Sequence, residues 1–284
     1  MSSWVRSGST RTVSLAPRNR VITSCSGNLV TCKLKGGLGN RLFQIFAGLA
    51  YAERTGRQFV FCEHLIGSNS HTGLQETMSM LCAFFPQVKF FKGVGHIWTT
   101  WSEPDGRLFD GDAIPDLTGS VILQGFFQNG KFSENLRGQF RIPKPQNSVF
   151  AISEINFAET YFLHYRFGDY VGTPYDVLSE KYYAGAIENL RSKFAGCKFL
   201  IFSDQPEKVS IMEGFTIVPK TVNTWESLYL MSLCSGGICA NSTFSWFGAF
   251  YCEGNSEKIL MPEVWIKGVP GGPVSKWATM LTVS

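Results

Sequence analysis

From Leu29 onward the sequence alternates short apolar runs with amphipathic stretches, and this alternation limits the possible folds more than any other feature. Strands of a parallel sheet are buried on both faces and are therefore almost continuously apolar, whereas the helices that cover them carry one apolar stripe. The pattern predicts an α/β protein with parallel sheets. The predicted strands are residues 29–35, 58–62, 120–126, 161–166, 197–203, 215–218, 236–240 and 258–261.

Amphipathic stretches predict helices at residues 41–55, 180–194 and 225–234. In the first of these, Leu42, Phe46 and Leu49 repeat with the helical period, and Gly56 marks its end. Thr224 is the predicted N-cap of the third.

The length of 284 residues, of which 44% are hydrophobic, is enough for two modest cores. Pro143 and Pro145 interrupt the pattern before it resumes, so the boundary is expected within residues 141–156. We predict an N-terminal domain over residues 29–155 and a C-terminal domain over residues 156–284.

Two stretches lack periodicity. Residues 1–28 contain arginines and many serines but no acidic residue, which predicts a flexible tail and leaves a transit peptide as the alternative. Residues 93–118 mix Trp98, Trp101, glycines, prolines and acidic residues, and they predict a long irregular excursion of the kind that is often functional.

Charge and hydropathy limit the partners and the location. The 26 Lys and Arg residues are scattered and the net charge is only +4. This argues against a nucleic-acid-binding protein and is compatible with binding of a small polyanionic ligand. No run reaches the roughly 18 apolar residues of a membrane-spanning helix, so we expect a soluble, cytoplasmic protein without a transmembrane anchor. The eight cysteines are dispersed without metal-ligand spacing and are predicted to be free thiols, with disulfides as the alternative.

The sequence GGLGNR at residues 36–41 follows a predicted strand and opens a helix. Its glycines let backbone amides approach a ligand at the positively polarised end of that helix. The motif is neither a dinucleotide fingerprint nor a P-loop, and a tight turn without a ligand is an equal alternative on spacing alone. Arg41 opposes the helix dipole unless it has another partner, and this favours a ligand.

The sequence HYRFGDY at residues 164–170 ends another predicted strand, and strand alternation places His164 and Arg166 on one face. Ligands of open α/β sheets bind at the carboxyl ends of the strands. Arg166 can hold a pyrophosphate there through paired hydrogen bonds, and Asp169 can orient it or fix the turn. The alternative is that His164 and Arg166 pair with carboxylates at a domain edge.

Two further strand ends carry polar residues. The sequence NST at residues 241–243 precedes a segment that is apolar nearly all round, and ordinary N-capping accounts for one of the three residues. Three together fit an anion site of backbone amides and hydroxyls. Asp204 can accept paired hydrogen bonds from a guanine base or ribose hydroxyls, with a helix cap as the alternative.

Together and in this order, these motifs resemble the alpha-1,2-fucosyltransferase family, glycosyltransferase family eleven. The resembling segments are GGLGNRLFQ at residues 36–44, ILQGFFQ at 122–128, HYRFGDY at 164–170, FSD at 202–204 and NSTFSWF at 241–247, with Trp265 in the closing segment. The similarity spans residues 29–266.

The resemblance implies a GT-B fold, in which two Rossmann-like domains face a cleft. It implies transfer of L-fucose from GDP-fucose to a glycan hydroxyl, the 2-hydroxyl of a galactoside, with inversion and with no metal ion or other cofactor. The implied donor-binding residues are His164, Arg166, Asp204, Asn241, Ser242, Thr243, Gly37, Gly39 and Arg41, and the implied catalytic residues are Arg166, Asp169 and Asn40. Arg166 would hold the β-phosphate, and His164 and Asp204 the guanosine.

Inversion calls for a group that takes the proton of the acceptor hydroxyl, and the motifs do not identify it. Asp169 lies in a matching motif, and the other candidates are Asp105, Asp110, Asp112 and Asp116. The sequence DGD at residues 110–112 also matches the Asp-x-Asp that binds Mn²⁺ in metal-dependent sugar transferases, but its place in an irregular segment predicts a solvated loop and no metal site.

Phe167 stands where the family usually has a second arginine. This departure keeps open a transferase of another GDP-sugar, such as GDP-mannose, and an inactive GDP-sugar-binding protein. Strand alternation predicts that Phe167 points away from Arg166 and packs into the C-terminal domain. An NAD-dependent oxidoreductase is disfavoured, because the dinucleotide fingerprint with its acidic ribose ligand is missing.

Overall fold

The computed structural model describes residues 20–67, 73–104, 114–145, 148, 150–252, 254–273 and 275–283. The first of two six-stranded sheets contains β1 Val21–Ile22, β2 Leu29–Cys32, β3 Gln58–Phe61, β4 Lys89–Phe91, β5 Trp98–Ser102 and β6 Ser120–Gln124, in the order β1-β4-β3-β2-β6-β5. The second contains β7 Thr160–Tyr165, β8 Lys198–Ser203, β9 Phe215–Ile217, β10 Gly236–Ile238, β11 Ile259–Pro262 and β12 Thr279–Leu281, in the order β12-β11-β10-β7-β8-β9. Neighbouring strands are parallel throughout both sheets, which confirms the predicted α/β class.

The α-helices of the described residues are α1 Leu38–Arg54, α2 Leu74–Phe84, α3 Glu180–Lys193, α4 Thr224–Leu233 and α5 Thr243–Tyr251. β2, near the middle of the first sheet, is buried at every position, as is β11 of the second. Such strands are covered on both faces, which explains their continuous apolar runs. The predicted domain division after residue 155 lies between β6 and β7.

Three boundaries differ from the predictions. The predicted tail includes β1, which pairs with β4 at the edge of the first sheet, while Arg20 donates to the carbonyls of Cys82 and Phe85. The predicted irregular excursion contains β5, which pairs with β6. The N-cap of α4 is Asn223, whose side chain accepts from the amide of Glu226, so Thr224 is the first helical residue rather than the cap.

α1 and α5 join the two domains through an aromatic cluster. The ring of Phe43 lies 4.6 Å from that of Trp246, and Phe46 stacks on Phe247 at 5.5 Å. Gly39 in α1 touches the backbone of α5, because a Cβ added there would lie 2.4 Å from the carbonyl carbon of Thr243. The helix predicted to be apolar nearly all round is therefore buried between the domains.

Arg137 fixes the other end of α5. Its guanidinium donates to the carbonyls of Phe250 at 3.2 Å, Cys252 at 3.1 Å and Gly254 at 2.8 Å, and it lies over the ring of Trp277. A cation at a helix C-terminus satisfies carbonyls that lack intrahelical partners and opposes the dipole favourably. The N-terminus of α5 is therefore held at a defined place beside α1.

No helix of the described residues has the length and apolar character needed to cross a bilayer. All eight cysteines are free, and six of them are buried, which confirms the prediction of free thiols.

Candidate active site

A cleft of about 940 Å³ lies between the two domains at the carboxyl ends of both sets of strands. The N-terminal domain contributes Gly37, Leu38, Gly39, Asn40, Glu76, Phe126 and Gln128. The C-terminal domain contributes residues that follow β7, β8, β9 and β10, including Arg166, Asp204, Lys220 and Thr243. Ligands of open α/β sheets bind in this position, and the volume suits a small-molecule substrate.

Arg166 follows β7, and two carboxylates hold its guanidinium. Nη2 lies 2.8 Å from Oδ1 of Asp169, and Nη1 lies 3.4 Å from Oδ2 of Asp204. The guanidinium also lies over the ring of Tyr170, with 5.4 Å between its carbon and the ring centroid. A cation with so many contacts is oriented before a ligand arrives, which is what recognition of a phosphate requires.

Asp204 shapes the turn that carries Arg166. Its carboxylate oxygens accept from the amide of Phe167 at 3.0 Å and from the amide of Gly168 at 2.9 Å. A Cβ at position 168 would lie 2.6 Å from Oδ2 of Asp204, so any larger residue there would displace this carboxylate. Asp204 was predicted to bind guanosine; it lines the cleft, and the structure adds a positioning role.

His164 lines the cleft two residues before Arg166, and it is 5% exposed. Burial, together with the nearby charge of Arg166, lowers its pKa from 6.5 to about 3, so the ring is neutral at physiological pH. Its Nδ1 is buried and makes no hydrogen bond with the described residues, and its ring packs edge-on against Phe244.

The three polar residues before α5 have different partners. The amide nitrogen of Asn241 donates to the carbonyls of Tyr175 and Trp265, so this side chain mainly joins two loops of the cleft wall. Ser242 is the N-cap and accepts from the amide of Phe244. Thr243 donates its hydroxyl proton to Oδ1 of Asn40 at 3.0 Å. All three line the cleft.

The glycine loop forms the opposite wall. Asn40 also accepts from Nε2 of Gln128 at 2.9 Å, and it therefore links the loop to both domains. Gly37 has open space where a Cβ would stand, whereas Gly39 contacts the backbone of α5. Close packing between the domains is thus the first reason for glycine at position 39.

Arg41 does not line the cleft, which corrects the prediction that it faces the donor. Its side chain is 2% exposed and donates to the carbonyls of Gly36 at 2.9 Å and Gly67 at 2.7 Å, and to the hydroxyl of Thr77 at 2.7 Å. The partner expected for a cation at this helix end is therefore the protein itself. Burial lowers the pKa of Arg41, and the carbonyls compensate for its lost hydration.

The turn after β6 completes the N-terminal wall. Oε2 of Glu103 accepts from the amides of Phe126 at 2.7 Å and Phe127 at 3.0 Å, and Nζ of Lys35 lies 4.4 Å from the centroid of the Phe126 ring. Phe127 has a φ of +51°, which is uncommon for a residue with a side chain. Burial raises the pKa of Glu103, although the two amides act in the opposite direction.

Phe167 packs as predicted from strand alternation. Its ring stacks on Tyr165 at 5.6 Å, within the smaller apolar cluster of the C-terminal domain, and it does not line the cleft. Position 167 therefore contributes no side chain to the cleft wall that the described residues form.

Several cleft residues were not predicted. Val218, Pro219 and Lys220 follow β9, and the rule that ligands bind at strand ends would have found them. Glu76 lies in α2, a helix that was not predicted because its N-cap, Gly73, provides no side-chain signal.

The described residues contain no group of three or more His, Cys, Asp or Glu side chains that could hold a metal ion. Asp105, Asp110 and Asp112 lie outside the described residues, and the prediction of a solvated loop there stays a prediction. Asp116 lies outside the cleft lining, with 77% of its side chain exposed, and pairs with Arg54.

The chain is similar in sequence to known glycosyltransferases. Residues 133–266 match the family model described as "Glycosyl transferase family 11". An alpha-1,2-colitosyltransferase of Escherichia coli is 26% identical over 280 residues, covering 84% of this chain and 93% of that protein. The O-antigen biosynthesis glycosyltransferase WbnK of Escherichia coli is 32% identical over 124 residues, covering 39% of this chain and 40% of that protein.

Among solved structures, the NodZ alpha-1,6-fucosyltransferase soaked with GDP-fucose aligns with a TM-score of 0.50 at 16% identity, covering 80% of this chain and 93% of that chain. At this identity the likeness concerns the fold, and it confirms the GT-B arrangement of two Rossmann-like domains facing a cleft. The match over residues 133–266 makes this part of the chain similar to glycosyltransferase family 11.

Proposed function

We propose that this protein transfers L-fucose from GDP-fucose to a sugar hydroxyl, with inversion at the anomeric carbon and without a metal ion or other cofactor. The observation that carries the proposal is the guanidinium of Arg166, oriented by Asp169 and Asp204 in a wall that also holds the N-terminus of α5. The guanidinium N–H groups and the backbone amides at this helix start are hydrogen-bond donors of the kind that bind a pyrophosphate.

In the proposed reaction, the main function of the C-terminal wall is to stabilise the leaving group. The bond from the sugar C1 to the β-phosphate oxygen breaks, its electron pair leaves with GDP, and the acceptor oxygen bonds to C1 from the opposite face. Negative charge grows on the pyrophosphate as this bond breaks. In this proposal Arg166 and the amides at the start of α5 stabilise that charge, which is the function that a metal ion performs in other transferases.

The remaining residues support a nucleotide sugar. His164 is neutral and lies beside Arg166, so it can bind by hydrogen bonding without adding charge. Asn40 and Gln128 present amide groups from the other wall, where a glycan acceptor would lie. We assign the 2-hydroxyl of a galactoside as the acceptor group, by analogy with the alpha-1,2 linkage named for the colitosyltransferase relative.

A second donor is favoured by that same relative. Colitose is fucose without its 3-hydroxyl, so GDP-colitose would occupy the cleft in the same way and lose only the contacts of one hydroxyl. A site that hydrogen-bonds a hydroxyl discriminates strongly against the analogue that lacks it. The donor preference is therefore a direct measure of such a contact.

A cytoplasmic location is supported by the free thiols.

The function is tested with a panel of GDP-fucose, GDP-colitose and GDP-mannose and β-galactoside acceptors, with and without excess EDTA. We expect transfer from GDP-fucose that survives EDTA, and an NMR coupling constant at the new anomeric carbon that shows inversion. Activity that disappears in EDTA and returns with Mn²⁺ would refute the metal-free mechanism. GDP binding without turnover would favour the inactive binding protein.

Arg166→Ala should lower kcat by roughly 10²- to 10³-fold, because it removes one group that stabilises transition-state charge. Arg166→Lys should recover little, since an ammonium cannot reproduce the paired hydrogen bonds. Arg191→Ala is the matched control: Arg191 lies on α3 and bonds to the carbonyl of Glu213, outside the cleft lining. Equal activity of the two alanine variants would show that Arg166 is structural.

A further inference from the structure

The side of the cleft that the acceptor hydroxyl occupies limits which residue can accept its proton. In an inverting displacement the acceptor oxygen attacks C1 on the face opposite the leaving group. The proposed pyrophosphate contacts, Arg166 and the start of α5, lie on the C-terminal wall. The acceptor hydroxyl and the group that takes its proton therefore lie on the side of the N-terminal wall.

Within the described residues, that wall contains one carboxylate, Glu76. The others on it are glycines, Leu38, Asn40, Phe126 and Gln128, none of which can take a proton at neutral pH. Asp169 and Asp204 belong to the opposite wall, and both pair with Arg166.

The carboxylate of Glu76 also differs from those of Asp169 and Asp204 in its contacts with the described residues. It makes no hydrogen bond or ion pair with the described residues, whereas Asp169 is engaged by Arg166 and Asp204 by Arg166 and two backbone amides. Asp116, another of the carboxylates considered from the sequence, lies beside Arg54. Arg54 ends α1, which spans 17 residues and so places this pair about 25 Å from the cleft end of the helix.

The position of Glu76 is fixed by its neighbour. Thr77 accepts from Nη1 of Arg41 at 2.7 Å, and Arg41 is anchored to the carbonyls of Gly36 and Gly67. The first turn of α2 is thus tied to the glycine loop, and Glu76 lines the same wall of the cleft as Asn40. Arg41, which does not line the cleft, connects the glycine loop to the helix that carries this carboxylate.

We infer that Glu76 is the general base that accepts the proton of the acceptor hydroxyl as its oxygen bonds to the sugar C1. This inference rests on the proposed transferase function. The acceptor oxygen gains the bond to C1, its proton goes to the Glu76 carboxylate, and the bonding pair of the departing phosphate oxygen leaves with GDP. Asp169 then serves to orient Arg166 instead of taking the proton.

The test compares Glu76→Gln and Glu76→Ala with the wild type under saturating GDP-fucose. We expect kcat for the sugar acceptor to fall by roughly 10²- to 10⁴-fold, the usual contribution of a general base, while GDP affinity measured by calorimetry and acceptor KM change less than about threefold. Asp116→Asn is the matched control, as a carboxylate of the same domain outside the cleft lining, and should keep wild-type kcat.

Azide provides the second readout, because this nucleophile carries no proton to remove. Added azide should restore GDP release from GDP-fucose in Glu76→Ala, with fucosyl azide as the product. The inference is overturned if Glu76→Gln keeps kcat within about tenfold of the wild type, if its loss lies in acceptor KM, or if azide restores nothing. A wild type that is inactive with every GDP-sugar would instead refute the proposed function.

Discussion

The contact between Gly39 and α5 gives the most specific test of how the two domains are joined. We predict that Gly39→Ala destabilises the protein, because the new methyl carbon would stand 2.4 Å from the carbonyl carbon of Thr243 and 2.6 Å from the amide nitrogen of Phe244. Carbon atoms pack at about 3.5 to 4.0 Å, so the two helices must separate by about 1 Å.

The magnitude follows from the rigidity of the neighbours. Overpacking usually costs about 1 to 3 kcal/mol, and the upper part of that range applies here because the obstructing atoms are backbone at a helix start. For a protein of this size each kcal/mol lowers Tm by about 2 °C, so a decrease of about 4 to 6 °C is expected. The Asn40 to Thr243 hydrogen bond, now 3.0 Å, would lengthen as well.

Gly37→Ala is the matched control in the same loop. A Cβ at position 37 meets nothing within 4 Å, and the φ of −68° suits alanine. Its Tm should therefore stay within about 1 °C of the wild type, as for most changes that touch no packed group. Differential scanning calorimetry of both variants provides the comparison. A Gly39→Ala protein with wild-type Tm, or equal losses in both variants, would refute this account of the domain contact.

Two further predictions concern β7 and the turn that follows it. Phe167→Ala should lower the unfolding free energy by about 1 to 2 kcal/mol. This is less than the cost of about 3 to 5 kcal/mol for a fully buried Phe, because the Phe167 ring is only partly buried. The affinity for GDP, measured by calorimetry, should stay unchanged, and a tenfold weaker affinity would place position 167 in the donor site. His164 should make the protein acid-sensitive: its folded pKa of about 3 lies below the usual 6.5, so the unfolded chain binds the proton first and stability is lost as pH falls through that window. Between pH 6.5 and 5 the loss from this group is about 2 kcal/mol, and urea unfolding of His164→Gln should lack it; an identical pH dependence in both proteins would contradict the assignment.

Much of the fold was predictable because its signals are local. β7 and β8 are mostly apolar runs of six residues, and the apolar stripe of α1 repeats over 17 residues. Each pattern extends over enough positions that one exceptional residue does not hide it. β1 and β4 have two and three residues, too few for any period to appear, and α2 begins at a glycine without a capping side chain. Short strands and uncapped helices acquire their structure from neighbours.

The candidate site was predictable where chemistry follows a strand end. Arg166, Asp204 and Thr243 were predicted at such ends, and all three line one cleft. The prediction that Arg41 faces the donor was wrong for a physical reason. A cation at a helix start needs a partner, and the sequence does not show whether the partner is a ligand or buried carbonyls. Glu76 carries no local signal, and it lines the cleft on a helix that Arg41 ties to the glycine loop through Thr77.

The sequence by itself determined the α/β class, the order of the motifs and the residue types available for phosphate recognition, since each depends on periodicity or on positions close along the chain. Only the tertiary structure decided which of those side chains face the cleft. Asn40 and Thr243 are 203 positions apart yet share a hydrogen bond, and Gly39 is glycine because a distant helix touches it. Such contacts depend on how two separately predicted domains pack together, and no periodic pattern within either domain contains that information.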